Sequence, residues 1–298
     1  MLLATFIGNV VCCIYLFFKL EINKYLSLSS VNKKTLLNEL KYSIPLIPNQ
    51  LSLWVMNSSD RLIVSFILGT AANGILAVSH KFPAIFMTFF NIFQLAWHET
   101  GTVHFFDKDR DDFFSKTIEE IMLLFSTLCM CIIIVLPIVF NLFVNSSYNE
   151  AYYNIPIYLI ASLLNVMVGL LGVVYVATKK TFEIAKTTII AALINIIVNI
   201  ILIKYIGLYA ASISTFMGYF ITMIYRIIDT KKYLNIKYSL YKYVKIIVGI
   251  LFSTIIYYIN NKLISIITLP FFICIALWVN KDYIVLIKKL IKGKIKLN

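Results

Sequence analysis

Asp60 and Arg61 stand side by side well inside an apolar run, and Lys81 stands early in the next one. Placing an ionisable side chain at membrane depth costs roughly 2.5–3.5 kcal/mol, so such groups face a bundle interior or a water-filled cavity. Around them lie residues that bond to hydroxyls. At 100° per residue, Asn49, Ser52, Asn57 and Asp60 share one face of the first run. Lys81, Thr88, Asn91, Gln94 and His98 share a face of the second. The expectation is two adjacent helices whose polar stripes face one another and line a path. Interhelical hydrogen bonding in a packed bundle uses the same residue types and is the competing reading. Two cations there suit an anionic ligand, since Arg matches phosphate oxygens. Sequence neighbours point about 100° apart on a helix, so Asp60 and Arg61 need not bond each other.

Other clusters carry less chemistry. His80, His98 and His104 with Glu99 share no helical face and have no nucleophile beside them, so neither a metal site nor acyl transfer follows. Asp107-Lys108-Asp109 has a D-x-D spacing but lacks a surrounding catalytic domain, and residues 99–120 read as a solvated acidic loop. The five cysteines lie inside apolar runs without metal-ligand spacing and read as small buried hydrophobes. No cofactor or metal is implied, and nothing requires an enzyme.

These residues sit in a chain of 298 residues that is 60% hydrophobic, against about 45–50% for an ordinary soluble domain. That is a membrane composition. The net charge of +13 does not indicate nucleic acid, because the basic residues fall between apolar runs. Windows of about 20 apolar residues predict nine spans, at 1–18, 44–68, 75–97, 120–144, 154–177, 184–203, 207–227, 243–260 and 263–280. Runs this long do not alternate with period two, which excludes a β-barrel. With this count nearly all Lys and Arg, Arg226 among them, fall on one side, making that side and the C-terminus cytoplasmic. Residues 19–43 form a linker, with Leu36, Leu37, Leu40 and Ile44 at the spacing of an amphipathic interfacial helix. The connections on the other side are short, including Gly69–Gly74, and leave no room for an outer catalytic domain. Asn195 and Asn199, four residues apart on an apolar span, read as an interhelical hydrogen-bonding face, and Asn165, Gly169 and Gly172 as positions of close backbone approach, both in the service of packing. The uncharged first helix, starting outside, implies that partner helices precede it.

The stretch SIPLIPNQLSLWVMNSSDRLIVSFILGTAANGILAVSHKFPAIF, followed by FQLAWHET, resembles the oligosaccharide flippases that export O-antigen and capsule repeat units. These belong to the superfamily that also holds multidrug extruders and lipid II flippases. The segment INIIVNIILIKYIGLYAAS, preceded by Lys179-Lys180-Thr181, is similar as well. The resemblance implies an all-α integral membrane protein of the bacterial plasma membrane. In it residues 1–18 match the last helix of a first lobe that is largely missing, and residues 19–43 are a cytoplasmic linker. Residues 44–227 match the second six-helix lobe, and residues 228–298 a basic loop, two additional helices and a basic tail. It further implies flipping of undecaprenyl-pyrophosphate-linked oligosaccharides by alternating access. Arg61 and Lys81 would attract the pyrophosphate or sugar acids, with Asp60 orienting Arg61. Asn49, Asn57, Asn91 and Gln94 would bond sugar hydroxyls. Membrane lipids, a glycan polymerase and other assembly proteins are the implied partners, and nucleic acid is not among them. A lipid II flippase or drug extruder would share the fold. A membrane-bound polymerase or acyltransferase would need a large outer loop or clustered catalytic groups.

Overall fold

The computed structural model describes residues 2–24 and 32–281, and every regular element among them is helical. The chain divides into two units, residues 1–44 and 45–298. In the first, α1 (Leu2–Lys19) is a short apolar helix, followed by a 3-10 turn (Ile22–Lys24) and α2 (Lys33–Ser43). Asn32 caps α2 by accepting from the Lys34 amide at 2.9 Å. Leu36, Leu37 and Leu40 are exposed on α2. The tail beyond Lys281 lies outside the described residues.

The second unit contains α3 (Leu46–Ile67), α4 (Thr70–Ser79), α5 (Lys81–His104), α6 (Arg110–Phe143) and α7 (Ala151–Ala177). It continues with α8 (Thr181–Ile206), α9 (Tyr209–Thr230), α10 (Leu240–Ile259) and α11 (Lys262–Val279). Six of these, α6 to α11, are long and apolar enough to cross a membrane, and α4 with α5 makes a seventh candidate. The expected nine spans also counted α1 and α3. The first is a shorter apolar helix, and the second, 22 residues long and carrying Asp60, Arg61 and several Asn and Ser residues, is not among the six.

Two local expectations change. The span read at 75–97 is two helices bent by 42° at His80, and the connection read at Gly69–Gly74 is already helical from Thr70. Pro83 has no N–H to give the Ser79 carbonyl, so the helix breaks just before it. Gly69, at φ +93°, makes the reversal from α3 into α4. Residues 99–120 are mostly helix rather than loop: α5 runs on to His104, and α6 begins at Arg110. At 1.5 Å per residue the 34 residues of α6 span about 51 Å, more than a bilayer core, so its acidic first turns project beyond the apolar stretch. There Asp112 pairs with Lys237 at 3.1 Å and Glu119 pairs with Lys242, tying the α9–α10 connection to α6. Asp107 is held by His104 Nδ1 at 2.6 Å, so the D-x-D acids do not converge on a vacant point.

The centre of the unit is α7, buried along most of its length. It packs on α5 and α9; α8 bridges α9 and α3, and α6 carries α10 and α11. A ring cluster of Phe86, Phe90 and Phe125 fills the α5–α6 contact, with rings edge-on at 5.4–5.6 Å. Trp97 Nε1 donates to the Leu170 carbonyl at 3.1 Å. Gly169 lets α5 approach: a Cβ there would stand 2.8 Å from two ring carbons of the buried Phe90. Gly169→Ala is therefore expected to destabilise the bundle by about 1–3 kcal/mol through overpacking, read as a lower melting temperature in detergent. At the start of α7, Tyr152 and Tyr257 stack at 4.1 Å, and each hydroxyl donates to the other's backbone carbonyl, at 3.0 and 2.6 Å. Tyr258 adds a bond to the Tyr153 carbonyl at 2.8 Å. The outer faces of α8, α10 and α11 remain covered with exposed Ile, Leu and Phe, such as Ile197, Ile201, Ile255 and Leu277. A surface of that kind belongs in lipid.

Candidate functional site

The face of α3 that turns inward is its polar one. Asn49, Ser52, Met56, Ser59, Asp60 and Val64 recur at three- and four-residue intervals, and all are buried. Opposite them, α8 presents Thr188, Asn195 and Asn199, again spaced seven and four apart. The third wall, α9, offers small and hydroxyl residues, Ala211, Ser214, Thr215 and Gly218. Gly218 permits the close approach, since a Cβ there would lie 3.0 Å from the Ala191 carbonyl oxygen.

At the centre is the Asp60 carboxylate, 1% exposed. Its Oδ1 accepts from Asn199 Nδ2 at 2.8 Å and Asn195 Nδ2 at 3.2 Å, with Ser214 Oγ at 3.5 Å. Its Oδ2 accepts from Thr215 Oγ1 at 2.8 Å. Asn195 is held in turn, its Oδ1 accepting from Ser59 Oγ at 2.8 Å and its Nδ2 reaching Ser214 and Thr215 at 3.2 and 3.1 Å. A buried charge persists only where bonded groups replace its water, and here every donor is neutral. Among the described residues no ion pair includes Asp60. The Asp60 oxygens face two amide NH₂ groups and two hydroxyls, all donating to them, so what this arrangement can take up and release is a proton. No group of three or more His, Cys, Asp or Glu side chains that could hold a metal occurs among the described residues.

Arg61 takes the other direction. It is exposed, and its charge reaches His80 and Tyr158, near the break before Lys81. The expectation that Asp60 orients Arg61 is therefore corrected: the carboxylate is engaged by α8 and α9, and the guanidinium lies on another face of the same turn. Lys81 is exposed at the start of α5. Asn49 is not open to a ligand, because it is buried and accepts from Thr188 Oγ1 at 2.8 Å. The Asn57 side chain lies outside the described residues. Asn91 is exposed, while Gln94 is half-buried with its Nε2 3.4 Å from His98 Nε2. The two polar stripes do not form a facing pair, since α3 packs on α8 and α5 on α7. For Asn49 and Asp60 the interhelical bonding alternative describes the contacts, while Ser52 bonds back to the Pro48 carbonyl of its own helix at 2.7 Å.

The interhelical hydrogen-bonding face expected at Asn195 and Asn199 is present, with Asp60, Ser214 and Thr215 as partners that sequence reasoning does not name. The paired Asn on an apolar helix was the available signal for a polar partner, but nothing in it named Asp60. Arg226, which the charge count places on the cytoplasmic side at the end of the span 207–227, lies inside α9, 3% exposed, donating to Thr187 Oγ1 at 2.8 and 3.2 Å and to the Val168 carbonyl at 2.7 Å. Its guanidinium lies 5.7 Å from the centre of the Tyr175 ring. The Tyr175 hydroxyl donates to Asp229 at 3.0 Å, and Asp229 pairs with Lys232 at 2.6 Å, beyond the end of α9. That bond holds the Lys232 ammonium above its ordinary pKa.

The fold and this site define a class: an all-helical chain compatible with a multi-pass membrane protein, with one carboxylate enclosed by three of its helices. No protein family, curated protein or solved structure matches the chain.

Proposed function

We propose that this chain transports a lipid-linked oligosaccharide across the bacterial plasma membrane, as the resemblance to the glycan flippases implies. The observation that carries the reading is the division of charge at one turn of α3. Asp60 is sealed among α8 and α9, while Arg61 is presented outside. Ionisable groups kept within an apolar bundle mark ion or substrate pathways. Arg61 and Lys81 attract the pyrophosphate or acidic sugars of the cargo, and its polyprenyl tail stays in lipid. Asp60 takes up and releases a proton, and this changes how α3 packs on α8 and α9. Asn91 and Gln94, on α5, remain the groups for sugar hydroxyls.

In the host deleted for the gene, Arg61→Ala and Lys81→Ala are expected to lower surface glycan about tenfold together, with Arg61→Lys retaining part of it. Unchanged glycan at equal membrane abundance would overturn the assignment of the two cations. The lipid-linked intermediate that accumulates identifies the cargo. A peptidoglycan precursor there would favour the lipid II reading over the oligosaccharide one.

A further inference from the structure

Between α9 and α10 the bundle is open. α9 packs on α7 and α8, and α10 packs on α6, so these two consecutive helices share no extended contact. A crevice of about 610 Å³ lies between them. On α9, Phe216, Phe220, Met223 and Ile227 recur at steps of four, three and four and form one wall, the rings of Phe216 and Phe220 stacked at 5.8 Å. The first turns of α10, from Leu240 to Leu251, form the other wall. Leu163 and Met167 of α7, 4% and 2% exposed, close the floor together with Met122 of α6. At the mouth Leu240, Ile247 and Leu251 are exposed, continuous with the apolar outer face of α10.

The walls of the crevice are apolar throughout. Water inside would find no hydrogen-bond partner, and an empty crevice would forfeit dispersion contacts along four elements. Its volume falls within the roughly 300–1,000 Å³ of ordinary ligand pockets. Its length narrows the ligand. From residue 216 to 227 on α9, and from 240 to 251 on α10, the walls rise about 16 Å. That is about half of a 30 Å bilayer core. It is the half in which α10 begins, because the 20 residues of α10 only just cross the whole core. A chain anchored at that surface and ending near mid-bilayer has this length, as the tails of membrane phospholipids do. We infer that the α9–α10 crevice seats one acyl chain of a phospholipid from the leaflet at which α10 begins. The lipid replaces the helix contact that α9 and α10 do not make with each other, and it stands independently of what the chain transports. The polyprenyl tail of the proposed cargo is far too long for the same space.

The test uses the full chain in nanodiscs doped with a phosphatidylethanolamine that carries a diazirine at the end of one acyl chain. Irradiation and peptide mass spectrometry then locate the adducts. Leu163, on the buried floor, is expected to be labelled at a yield comparable to that of Ile197 on the exposed face of α8. Moving the diazirine next to the ester is expected to shift adducts from Leu163 toward Ile227 and Tyr238, at the end where α10 begins. Ile247→Trp, a bulky side chain at the mouth, is expected to lower labelling of Leu163 severalfold and leave Ile197 unchanged. Adducts on Ile197 with none on Leu163 or Met167 in the unaltered protein would overturn the inference. Labelling of Leu163 indifferent to the diazirine's position would overturn the leaflet assignment, and labelling indifferent to Ile247→Trp would overturn entry between α9 and α10. Labelling of Leu163 by a diazirine-bearing polyprenyl phosphate, and not by the phospholipid, would overturn the choice of occupant.

Discussion

Asp60→Asn is expected to stop transport while leaving the protein folded in the membrane. The amide has the shape of the carboxylate but carries no charge and takes up no proton. Its oxygen can keep accepting from Asn195 and Asn199, and its NH₂ group can face Thr215, whose hydroxyl rotates to accept. The cost in stability is then about 1 kcal/mol, near that of one ordinary hydrogen bond. On the role proposed for Asp60 the cost in function is far larger, at least about tenfold in rate, since without its charge the side chain has nothing to exchange. The measurement pairs the amount of lipid-linked glycan accumulating in cells with the melting temperature of the purified protein. Normal flux with a normal melting temperature would reduce Asp60 to a packing group. Asp60→Leu is the harsher variant. It leaves Asn199, Asn195 and Thr215 facing an apolar side chain, so it should lose both fold and flux.

Arg226→Ala is expected to have a large effect on stability. It removes three hydrogen bonds from a guanidinium that is 3% exposed and empties the space beside Gly172, where even a Cβ would stand 3.0 Å from the Arg226 Nη1. The opposing term is the desolvation of the cation, which is several kcal/mol even after the protein relaxes. Bonds from a charged donor are worth about 1.5–3 kcal/mol each and a desolvated cation–π contact about 2, so the native arrangement comes out ahead. Adding the cavity, the loss is about 3 kcal/mol. Arg226→Met, which refills most of the volume without the charge, should recover about half of it. Thermal unfolding of the three proteins in one detergent compares them. An Ala variant as stable as the parent would show that the buried cation is a net burden.

Much of the architecture could be read from apolar run length, because bilayer thickness and helix rise constrain the same number of residues. Each expected run falls on helix, the one at 75–97 on two, yet three features escaped for separate reasons. The bend at His80 was hidden because a window average does not register one missing N–H, although Pro83 was in plain view. The first turns of α6 were read as loop because their residues are charged, and charge says where a helix stands relative to lipid, not whether it is a helix. The Asp60 cluster escaped because its partners are more than 130 residues away, on α8 and α9. Periodicity could put Asp60 and Asn49 on one face of α3, but not tell which neighbour that face would meet. The 100° separation of Asp60 from Arg61, by contrast, was legible, and it is what parts the buried charge from the exposed one.

The Tyr152–Tyr257 clasp has a mechanical meaning. Near its far end α10 is fixed to the start of α7 by two bonds to main-chain carbonyls, which no change of side chain at the accepting position can remove. Near its beginning it is fixed to α6 through Lys242 and Glu119. A rod pinned at both ends cannot swing as a lever; it behaves as a strut. Any rocking of the bundle must then carry α10 along as a brace between α6 and α7, and α9 with them, since Arg226 and Tyr175 tie it to α7.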